Sequence, residues 1–362
     1  MKIIASLATS NDGYINDNSP QRLVISNDKD WEKVYALRAN VDAIMIGAAT
    51  LREDNPSLLV KGEENREKRQ KLGLNPDIIK VVLSSSLDIN ADAKFFTRGD
   101  VQKIVLCLTD SPKSQKESLS KVAKIIELSE LTPIAVVSAL EAEGIATLMI
   151  EGGVKTLEPF FAANLVDEFR LAVSDKKVED DLAPKFYDFE KYISDSAPEM
   201  KLLSKQFLDE IGVYNFVKKD DYYLEMAVGE SMNAVPTKTN YRVGAVIVCE
   251  NAAVYLGYTG ESHPKNHAEE EALIKAKADN ANLYNAVIYT SMEPCSKRAS
   301  KEKSCSELIL ENGIKKVVYA FKEPDYFVEC TASENLVKNG VEVVVNSALG
   351  DAVKQINSHI LG

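Results

Sequence analysis

Short runs of β-branched and other apolar residues alternate with helical patterns along the chain, and this alternation is typical of a sheet layered with helices. A helix is predicted over residues 28–40, with Asp28 as its N-cap, because Trp31, Val34 and Leu37 recur at helical spacing. A second helix is predicted over residues 155–164. Strands are predicted at residues 2–9, 43–47, 79–84, 103–108, 147–151, 168–173 and 213–217. The first half is therefore expected to form an α/β domain.

A charged stretch at residues 218–221 (Lys-Lys-Asp-Asp) interrupts the alternation, and we predict a domain boundary there. The chain of 362 residues is long enough for two cores, one in residues 1–218 and one in residues 219–362. Helices are predicted at residues 222–231, 268–277 and 304–311. Strands are predicted at residues 243–249, 253–258, 286–290, 316–320 and 341–345, the first two as a hairpin that turns at 250–251. This order indicates a second sheet that lies between helices.

Composition narrows the class of partner. Lys and Arg number 43 and Asp and Glu 55, which gives a net charge of −12. That charge disfavours a duplex-binding surface, whose affinity comes from phosphate neutralisation. No apolar run approaches the roughly 18 to 20 residues of a membrane span, and residues 1–8 do not resemble a signal peptide. We therefore expect a cytoplasmic protein that acts on a small molecule and binds neither nucleic acid nor a membrane.

The second half carries a set of residues that suits zinc. His267 stands at the start of a predicted helix, Cys295 follows Pro294 after a predicted strand, and Cys305 begins the next predicted helix. One imidazole and two thiolates are ligands for tetrahedral zinc that leave the fourth position to water. Glu269, two residues after the histidine, has the position of the proton-shuttling glutamate of zinc deaminases. Cys107, Cys249 and Cys330 are interpreted as packing residues.

Two other interpretations of this set stay open. In the first, His267 is a surface residue of the helix and the two cysteines are buried or free thiols. This is often the case where a His-x-Glu motif occurs alone. Alternatively, a fourth protein ligand would close the zinc site and make it structural. His263 and Cys330 are the two residues with suitable chemistry for that role, whereas His359 near the end of the sequence is not assigned to the site.

These motifs resemble the cytidine deaminase superfamily, and within it the pyrimidine deaminases of the riboflavin pathway. The resemblance lies in residues 240–248, in His-Ala-Glu at 267–269 and in residues 290–305, and it covers about residues 222–346. Nine residues separate the two cysteines here, whereas many members of the superfamily have two. Pro-Cys-Ser-x-Arg-x-Ser at 294–300 looks more like the fungal deaminases than the bacterial ones.

The resemblance implies roles for individual residues. Zinc held by His267, Cys295 and Cys305 would activate water for attack on the amino-bearing ring carbon, and Glu269 would carry the proton to the departing ammonia. Asn240 would hydrogen-bond the pyrimidine. Lys297 and Arg298 are expected at the substrate phosphate, with a solvated basic loop as the alternative interpretation.

The first half carries a strand, a glycine pair and a helix start at residues 147–157, a junction that attracts phosphate through backbone N–H groups and the helix dipole. The pattern is not Gly-x-Gly-x-x-Gly, so the Rossmann fingerprint is absent. Together with residues 46–58, 8–13 and 165–168, it resembles the riboflavin-pathway reductases, whose domain is similar to dihydrofolate reductase. This resemblance covers about residues 1–218.

That family uses NADPH, and the matching positions fall into two groups. The first group would line the NADPH site and consists of Ala8, Thr50, Asp54, Ser85, Gly153, Val154, Lys155, Thr156 and Leu157. The second group would face the substrate and consists of Arg38, Leu58, Lys61 and Glu151. Taken one at a time, each of these residues could equally be interpreted as a surface cation, a loop cap or a packing residue. Arg38 and Lys61 are expected to balance the substrate phosphate, and Glu151 and Asp54 are considered for acid-base roles.

Together, the two resemblances imply a bifunctional enzyme of riboflavin biosynthesis with zinc and NADPH as cofactors. The expected fold is α/β with two domains, a dihydrofolate-reductase-like mixed sheet followed by a cytidine-deaminase-like α/β/α sandwich. The family also implies a homodimer formed through the reductase domain. Three alternatives remain: a non-catalytic deaminase module beside an active reductase, a deaminase of nucleosides or nucleic-acid bases, and a structural zinc module.

Overall fold

The computed structural model describes residues 1–19, 23–197, 199–298, 301–322 and 331–361. Cys330 and residues 299–300 of the fungal-like motif lie outside the described residues. The chain forms two compact units, Met1–Lys218 (unit 1) and Lys219–Gly362 (unit 2). Within the described residues, no helix combines the length and the apolar character that crossing a bilayer requires.

Unit 1 is built on a nine-stranded sheet in the order β5-β4-β3-β2-β6-β1-β7-β9-β8. The strands from β5 to β7 in this order are parallel, and β9 and β8 add an antiparallel edge. The strands are β1 Lys2–Thr9, β2 Ala43–Gly47, β3 Ile79–Leu83, β4 Lys103–Leu108, β5 Lys124–Leu128, β6 Thr147–Glu151, β7 Glu168–Ser174, β8 Met200–Leu208 and β9 Ile211–Lys218.

Helices cover both faces of this sheet. Alternate residues of β1 show the two-residue period of a strand buried on both sides, since Ile3 and Ala5 pack in one core and Ile4 packs in the other. The helices are α1 Asp28–Arg38, α2 Ala48–Asp54, α3 Glu63–Lys71, α4 Lys94–Thr97, α5 Lys113–Leu119, α6 Pro133–Ala142, α7 Val154–Ala162 and α8 Phe189–Ile193.

Several details of unit 1 differ from the sequence-based predictions. The N-cap of α1 is Asn27 and not Asp28, because the Asn27 side chain accepts a hydrogen bond from the Asp30 N–H while Asp28 already has helical geometry. Strands β5 and β8 are not among the predicted strands. Both lie at edges of the sheet, and five consecutive residues of β8 are exposed, so their sequences lack the apolar run that identifies a buried strand.

Unit 2 has a five-stranded sheet in the order β11-β10-β12-β13-β14, with an antiparallel hairpin at one edge and parallel strands at the other. Apolar cores lie on both faces, which makes this unit an α/β/α sandwich. Its strands are β10 Gly244–Val248, β11 Val254–Tyr258, β12 Val287–Met292, β13 Lys316–Phe321 and β14 Glu342–Val345. Its helices are α9 Lys219–Ser231, α10 Ala268–Ala278, α11 Cys305–Glu311, α12 Ala332–Lys338, α13 Gly350–Ile356 and α14 Ser358–Leu361.

The charged stretch that predicted a break contains the first turn of α9. Asp220 accepts hydrogen bonds from the hydroxyl of Tyr289 on β12 (3.0 Å) and from the Nζ of Lys316 on β13 (2.8 Å). The two aspartates of the stretch therefore belong to the packed unit, where a carboxylate in the first turn also suits the helix dipole. The helix begins three residues earlier than predicted for this reason.

Candidate active sites

Three segments of unit 2 bring one histidine and two cysteines together. His267 is the residue before α10, Cys295 follows β12, and Cys305 is the first residue of α11. Ser304 caps α11, because its hydroxyl accepts from the Glu307 N–H while the Glu307 carboxylate accepts from the Ser304 N–H. This capping box fixes the start of α11 and with it the position of the second cysteine.

The spacing of these three side chains suits a zinc ion. The Nδ1 atom of His267 lies 3.5 Å from the Sγ of Cys295 and 3.4 Å from the Sγ of Cys305. Tetrahedral zinc with bonds of about 2.0 and 2.3 Å to nitrogen and sulfur holds such atoms about 3.6 Å apart. All three ligand atoms lie within 4.8 Å of one another. The donor set and its spacing therefore fit zinc.

Helix α10 reaches the metal ligands because it packs directly on the backbone of β11. At Gly257, a Cβ atom would lie 2.4 Å from the carbonyl oxygen of Ala268 and 2.5 Å from the nitrogen of Ala272. No side chain fits between the strand and the first turns of the helix. A glycine is thus required at this position for the helix that carries Glu269 to approach the sheet.

The two thiols influence each other through a hydrogen bond. The pKa of Cys295 is lowered to about 4, first by the hydrogen bond from the Cys305 thiol and then by His267, while burial opposes the shift. The pKa of Cys305 is raised well above its usual value by the same hydrogen bond and by burial. The pair thus favours the thiolate form of Cys295, and a bound cation would favour deprotonation of both thiols.

Glu269 lies on the first turn of α10 and points into this cluster. Its side chain is 2% exposed, and its Oε2 lies 3.3 Å from the Sγ of Cys305. Burial raises the pKa of Glu269, which is opposed by the charge of His267. A carboxyl group whose proton affinity is raised in this way is better suited to take up a proton and return it, as a general acid-base residue must.

The stretch between the two cysteines is tied to α10 by ion pairs. Arg298 donates from Nη2 to the Oε2 of Glu270 (2.8 Å), and Lys301 donates from Nζ to its Oε1 (2.6 Å) and to Asn266. The Arg298 side chain is 4% exposed, whereas Lys297 is exposed. Of the two residues expected at the phosphate, Arg298 thus already has a carboxylate partner.

Two further predicted residues lie outside the ligand cluster. Asn240 is half-buried, and its backbone N–H donates to the hydroxyl of Thr237 (3.0 Å). His263 accepts at Nδ1 from the Lys265 N–H (3.2 Å), so it stays in its loop. Among the described residues, the cluster of potential ligands contains only the one histidine and two cysteines, without His263. Cys107 and Cys249 are buried in apolar cores, which confirms their interpretation as packing residues.

In unit 1, the residues predicted to bind NADPH lie at or just after the carboxyl ends of the central parallel strands. The carboxyl ends of parallel strands β1, β2, β3 and β6 lie side by side there, which is where open α/β sheets bind ligands. Residues that follow or end these strands include Ala8 at β1, Thr50 and Asp54 on α2, Ser85 after β3 and Gly153 after β6. Ala8, Thr50 and Asp54 are half-buried, and Ser85 is exposed.

The glycine turn after β6 is held by Thr50. Gly152 has a φ of +143°, and a Cβ atom there would lie 3.1 Å from the Thr50 hydroxyl. The N–H of Gly153 donates to that hydroxyl (3.2 Å), and Gly153 is the N-cap of α7. Only glycine combines this backbone angle with so close an approach. The turn is therefore a rigid connection between α2 and α7.

Of the five predicted residues of this turn, residues 154–157 have side chains, and these side chains differ in burial. Val154 and Leu157 pack in the apolar core, so their side chains are not available to a cofactor. Thr156 is also buried, whereas Lys155 is exposed. The N–H groups of Gly153, Thr156 and Leu157 already donate to the Thr50 hydroxyl or the Gly153 carbonyl, so the N–H groups of Val154 and Lys155 are the part of this segment that suits phosphate.

Arg38 and Glu151 form a buried ion pair. The guanidinium donates from Nε and Nη2 to the two oxygens of Glu151, both at 2.6 Å, and from Nη1 to the Leu59 carbonyl (3.3 Å). Although burial opposes it, the charge of Glu151 raises the pKa of Arg38. Because this charge is balanced within the protein, the expectation that Arg38 neutralises a substrate phosphate is disfavoured.

An aromatic face of α1 accompanies this pair; the prediction from sequence used Trp31 only for its helical spacing and did not single out Tyr35. Trp31 and Tyr35 stack with centroids 5.7 Å apart, and the Arg38 guanidinium lies 5.5 Å from the Tyr35 ring centre. The Nζ of Lys61 lies 5.0 Å from the same ring, and Lys61 is exposed. The spacing of residues 31, 35 and 38 on one helix face was the signal that could have identified this group.

The loop between α2 and α3 carries the remaining predicted residue, Leu58. Its side chain is 3% exposed and packs in a core, so it contributes shape rather than a polar contact. Leu58 and Asn55 both have left-handed backbone angles, with φ of 48° and 42°. Two such residues within four positions fix a bent loop whose strain is typical of ligand-binding segments.

Asp12 was matched as part of a motif but was not assigned to the site, and the structure gives it an organising position. Its carboxylate accepts from the Ser10 hydroxyl (2.5 Å) and from the N–H groups of Val178 (3.1 Å) and Glu179 (3.0 Å). Although burial acts in the opposite direction, these hydrogen bonds lower the pKa of Asp12. The loop after β1 is thereby joined to the loop after β7 at the same sheet edge.

Comparison with known proteins identifies two regions. Residues 1–178 match the RibD C-terminal domain, and residues 217–321 match the zinc-binding region of cytidine and deoxycytidylate deaminases. The chain is 34% identical over 171 residues to the 2,5-diamino-6-ribosylamino-4(3H)-pyrimidinone 5′-phosphate reductase of Archaeoglobus fulgidus, covering 47% of this chain and 78% of that protein.

Two further proteins are similar to parts of this chain. The diaminohydroxyphosphoribosylamino-pyrimidine deaminase of Schizosaccharomyces pombe is 40% identical over 124 residues, which are 34% of this chain and 31% of that protein. The riboflavin biosynthesis protein RibD of Aquifex aeolicus is 37% identical over 109 residues, 30% of this chain and 29% of that protein. The chain thus spans about a third of the length of each of these two relatives.

Proposed function

Because this chain belongs to the RibD-type reductase family through its first unit and carries a zinc deaminase region in its second, we propose that it catalyses two steps of riboflavin biosynthesis. One step is the hydrolytic deamination of a diaminopyrimidinone that bears a ribosylamino or ribitylamino 5′-phosphate. The other is the NADPH-dependent reduction of the ribosyl group to ribityl. One observation carries the proposal. The cluster of His267, Cys295, Cys305 and Glu269 occurs in the same chain as the region that matches the RibD C-terminal domain.

In the deaminase site, zinc held by His267, Cys295 and Cys305 would supply the Lewis acidity that activates water for attack on the amino-bearing ring carbon. Glu269 takes the proton of the attacking water and delivers it to the leaving nitrogen, so that water and the amino group become an oxo group and ammonia. The raised pKa of this buried carboxyl supports the role. Asn240 is proposed to hold the pyrimidine by hydrogen bonds.

In the reductase site, NADPH would supply the hydride for reduction at C1′ of the opened ribosylamino group, and the accompanying proton would come from the site or from water. We assign the phosphates of the cofactor to the start of α7, where Thr50 holds the Gly152–Gly153 turn in place. Asp54 and Ser85 border the same edge. The chain contributes mainly by placing cofactor and substrate in reacting geometry.

For the substrate phosphate, cations whose charge is not fully balanced within the protein are better suited than Arg38: Lys61 and Lys297 are exposed, and Arg298 shares the one carboxylate of Glu270 with Lys301. Lys61 in unit 1 is exposed and lies above the Tyr35 ring, next to the Arg38–Glu151 pair. In unit 2, Lys297 is exposed and Arg298 stands beside the metal ligands with one carboxylate partner. We propose Lys61 as the phosphate contact of the reductase site, and Lys297 with Arg298 as that of the deaminase site.

The proposal is tested with purified, zinc-replete protein and the diaminopyrimidinone ribosylamino 5′-phosphate. Ammonia release is measured without NADPH, and NADPH oxidation is measured separately in the Glu269→Gln variant. We expect products in which an amino group has been replaced by oxygen and two hydrogen atoms have been added, as identified by mass spectrometry. The same experiment gives the order of the two steps. Absence of both products would contradict the proposal.

We also propose that unit 1 forms a homodimer through β8. This strand is the edge of the nine-stranded sheet, and Leu203 and Phe207 are 52% and 68% exposed on it. An exposed edge strand is open to pairing, and antiparallel pairing with β8 of a second copy would give a closed two-fold contact. Leu203→Lys with Phe207→Lys should give monomers in light scattering, whereas Ile134→Lys, at another exposed apolar position, should not. A monomeric wild-type chain would refute this dimer.

A further inference from the structure

The C-terminal segment of unit 2 holds a distant backbone segment through one side chain, Asn357. This residue lies between α13 and α14 and is fully buried. Its Oδ1 accepts a hydrogen bond from the Arg242 N–H (2.7 Å), and its Nδ2 donates to the Arg242 carbonyl (3.1 Å). One carboxamide thus satisfies both backbone groups of Arg242, as a neighbouring strand would.

The same carboxamide also contacts the strand that leads to the metal ligands. Its Nδ2 lies 3.8 Å from the Sδ of Met292 and 3.1 Å from the Val353 carbonyl of its own helix. Met292 is the last residue of β12, three positions before Cys295. Asn357 therefore joins α13, the end of β12 and the backbone that precedes β10.

The backbone that precedes β10 contains Asn240, the proposed pyrimidine contact. Strand β10 is antiparallel to β12, with Ala245 opposite Thr290, and the Gly244 N–H donates to the Ser291 hydroxyl (3.1 Å). Residues 240–243 continue this direction beside the end of β12. The Arg242 side chain adds a second attachment, to the Ala234 carbonyl (2.8 Å). The segment is thus held from two sides.

We propose that Asn357 is a positioning residue of the deaminase site. By pairing with both backbone groups of Arg242, it fixes residues 240–243 so that Asn240 faces the pyrimidine beside the zinc ligands. This inference rests on the proposed deamination of a pyrimidine. Its structural part, the fixing of residues 240–243, does not depend on the activity.

Two variants remove the pairing to different degrees. Asn357→Asp can still accept from the Arg242 N–H but cannot donate to its carbonyl, and it adds a negative charge. Asn357→Ser is neutral, and its shorter side chain loses both bonds. The matched control is Asn346→Ser, since Asn346 also lies in the C-terminal segment and donates to the Asp221 Oδ1 (2.6 Å) on α9. Within the part of the chain that the structure describes, the hydrogen bonds of Asn346 go to Asp221, Tyr319 and Ala348 and none reaches residues 240–243.

Hydrogen–deuterium exchange followed by mass spectrometry measures the structural part. Exchange of the peptide that contains residues 240–243 should be faster in both Asn357 variants and unchanged in Asn346→Ser. In the deamination assay, KM should rise about tenfold, as expected for the loss of one to two hydrogen bonds, while kcat changes less and zinc content stays at the wild-type level.

The two measurements separate the possible failures. Unchanged exchange at residues 240–243 in both variants would overturn the inference whatever the activity. Faster exchange with an unchanged KM in an active enzyme would overturn the positioning role. A wild-type chain that releases no ammonia would refute the proposed deamination, and the exchange data would then still decide whether Asn357 fixes this segment.

Discussion

The two candidate sites are built in different ways. The site of unit 2 is a compact cluster of four ionisable side chains from three segments, and its imidazole, two thiols and buried carboxyl lie within a few ångströms of one another. The site of unit 1 extends along the carboxyl ends of several parallel strands. Its most buried charged residues, Arg38 and Glu151, already neutralise each other. The metal site thus concentrates its chemistry in a few side chains, whereas the cofactor site distributes it over the backbone and the shape of the loops.

The largest expected effect is that of removing the proton carrier of unit 2. Glu269→Gln should lower the rate of ammonia release by about 10² to 10⁴-fold, because general acid-base catalysis contributes that much. NADPH oxidation by unit 1, measured on the ribosylamino substrate and on its deaminated form, should be unchanged on at least one of the two. Glu261→Gln is the matched control, since Glu261 is half-buried and pairs with Lys275. Ammonia release at half the wild-type rate or more in Glu269→Gln would contradict the assignment.

Next in size is the effect of breaking the buried pair of unit 1. Arg38→Met should lower the free energy of unfolding of unit 1 by about 3 to 5 kcal/mol, because Glu151 is left as a poorly solvated charge. Lys61→Met, at an exposed cation on the same aromatic ring, should cost less than about 0.5 kcal/mol but raise the KM for the phosphorylated substrate. Chemical denaturation and steady-state kinetics measure the two effects. Equal stability losses in the two variants would contradict the contrast.

A smaller, pH-dependent effect is expected at Lys80, which is buried on β3 and donates from Nζ to the carbonyls of Phe95 (3.1 Å) and Arg98 (2.5 Å). Burial lowers its pKa from 10.5 to about 8. Between these values the unfolded chain binds more protons than the folded chain, so stability should rise with pH there, by on the order of 1 to 3 kcal/mol.

Urea unfolding from pH 7 to pH 11 tests this expectation. The rise above pH 8 should be absent in Lys80→Met and smaller in Lys103→Met, because the Lys103 charge on the neighbouring strand adds to burial in lowering the pKa of Lys80. Below pH 8 both states are protonated at this position, and the two variants should then show no difference in slope. A rise of equal size in Lys80→Met would contradict the assignment.

The smallest effect is expected at the glycine turn of unit 1. Gly152→Ala places a Cβ atom 3.1 Å from the Thr50 hydroxyl at a φ of +143°, which should displace the start of α7. The KM for NADPH should rise about fivefold to tenfold, a cost of about 1 kcal/mol, and ammonia release should not change. Gly73→Ala, at another positive φ with open space around it, is the control. An unchanged KM for NADPH would contradict the role of the turn.

The elements that the sequence predicted well are those with strong local patterns. The buried parallel strands β1, β2, β4 and β6 have the predicted bounds, because continuous β-branched runs between turns are hard to misread. Edge strands such as β8 were missed because exposed polar residues interrupt their pattern. Short helices such as α12 and α13 were missed for a similar reason, since seven residues give too few turns to show a period.

The sites show the same division. His267, Cys295 and Cys305 come together as their order and spacing predict, because each stands at the end of a strong element. The partners of Arg38 and Arg298 were not predictable, because an ion pair such as Arg38–Glu151 joins residues more than one hundred positions apart. Asn357 was missed because its function depends on a backbone contact with Arg242 that no sequence motif encodes.

The central claim is that one chain carries a zinc-dependent deaminase and a separate NADPH-dependent reductase. It is tested most directly by removing zinc with a chelator and measuring ammonia release and NADPH oxidation on the ribosylamino pyrimidine phosphate and on its deaminated form. We predict that ammonia release is lost and is restored by added zinc, while NADPH oxidation continues at the wild-type rate on at least one of the two substrates. Loss of both activities on chelation, or ammonia release without zinc, would contradict the account.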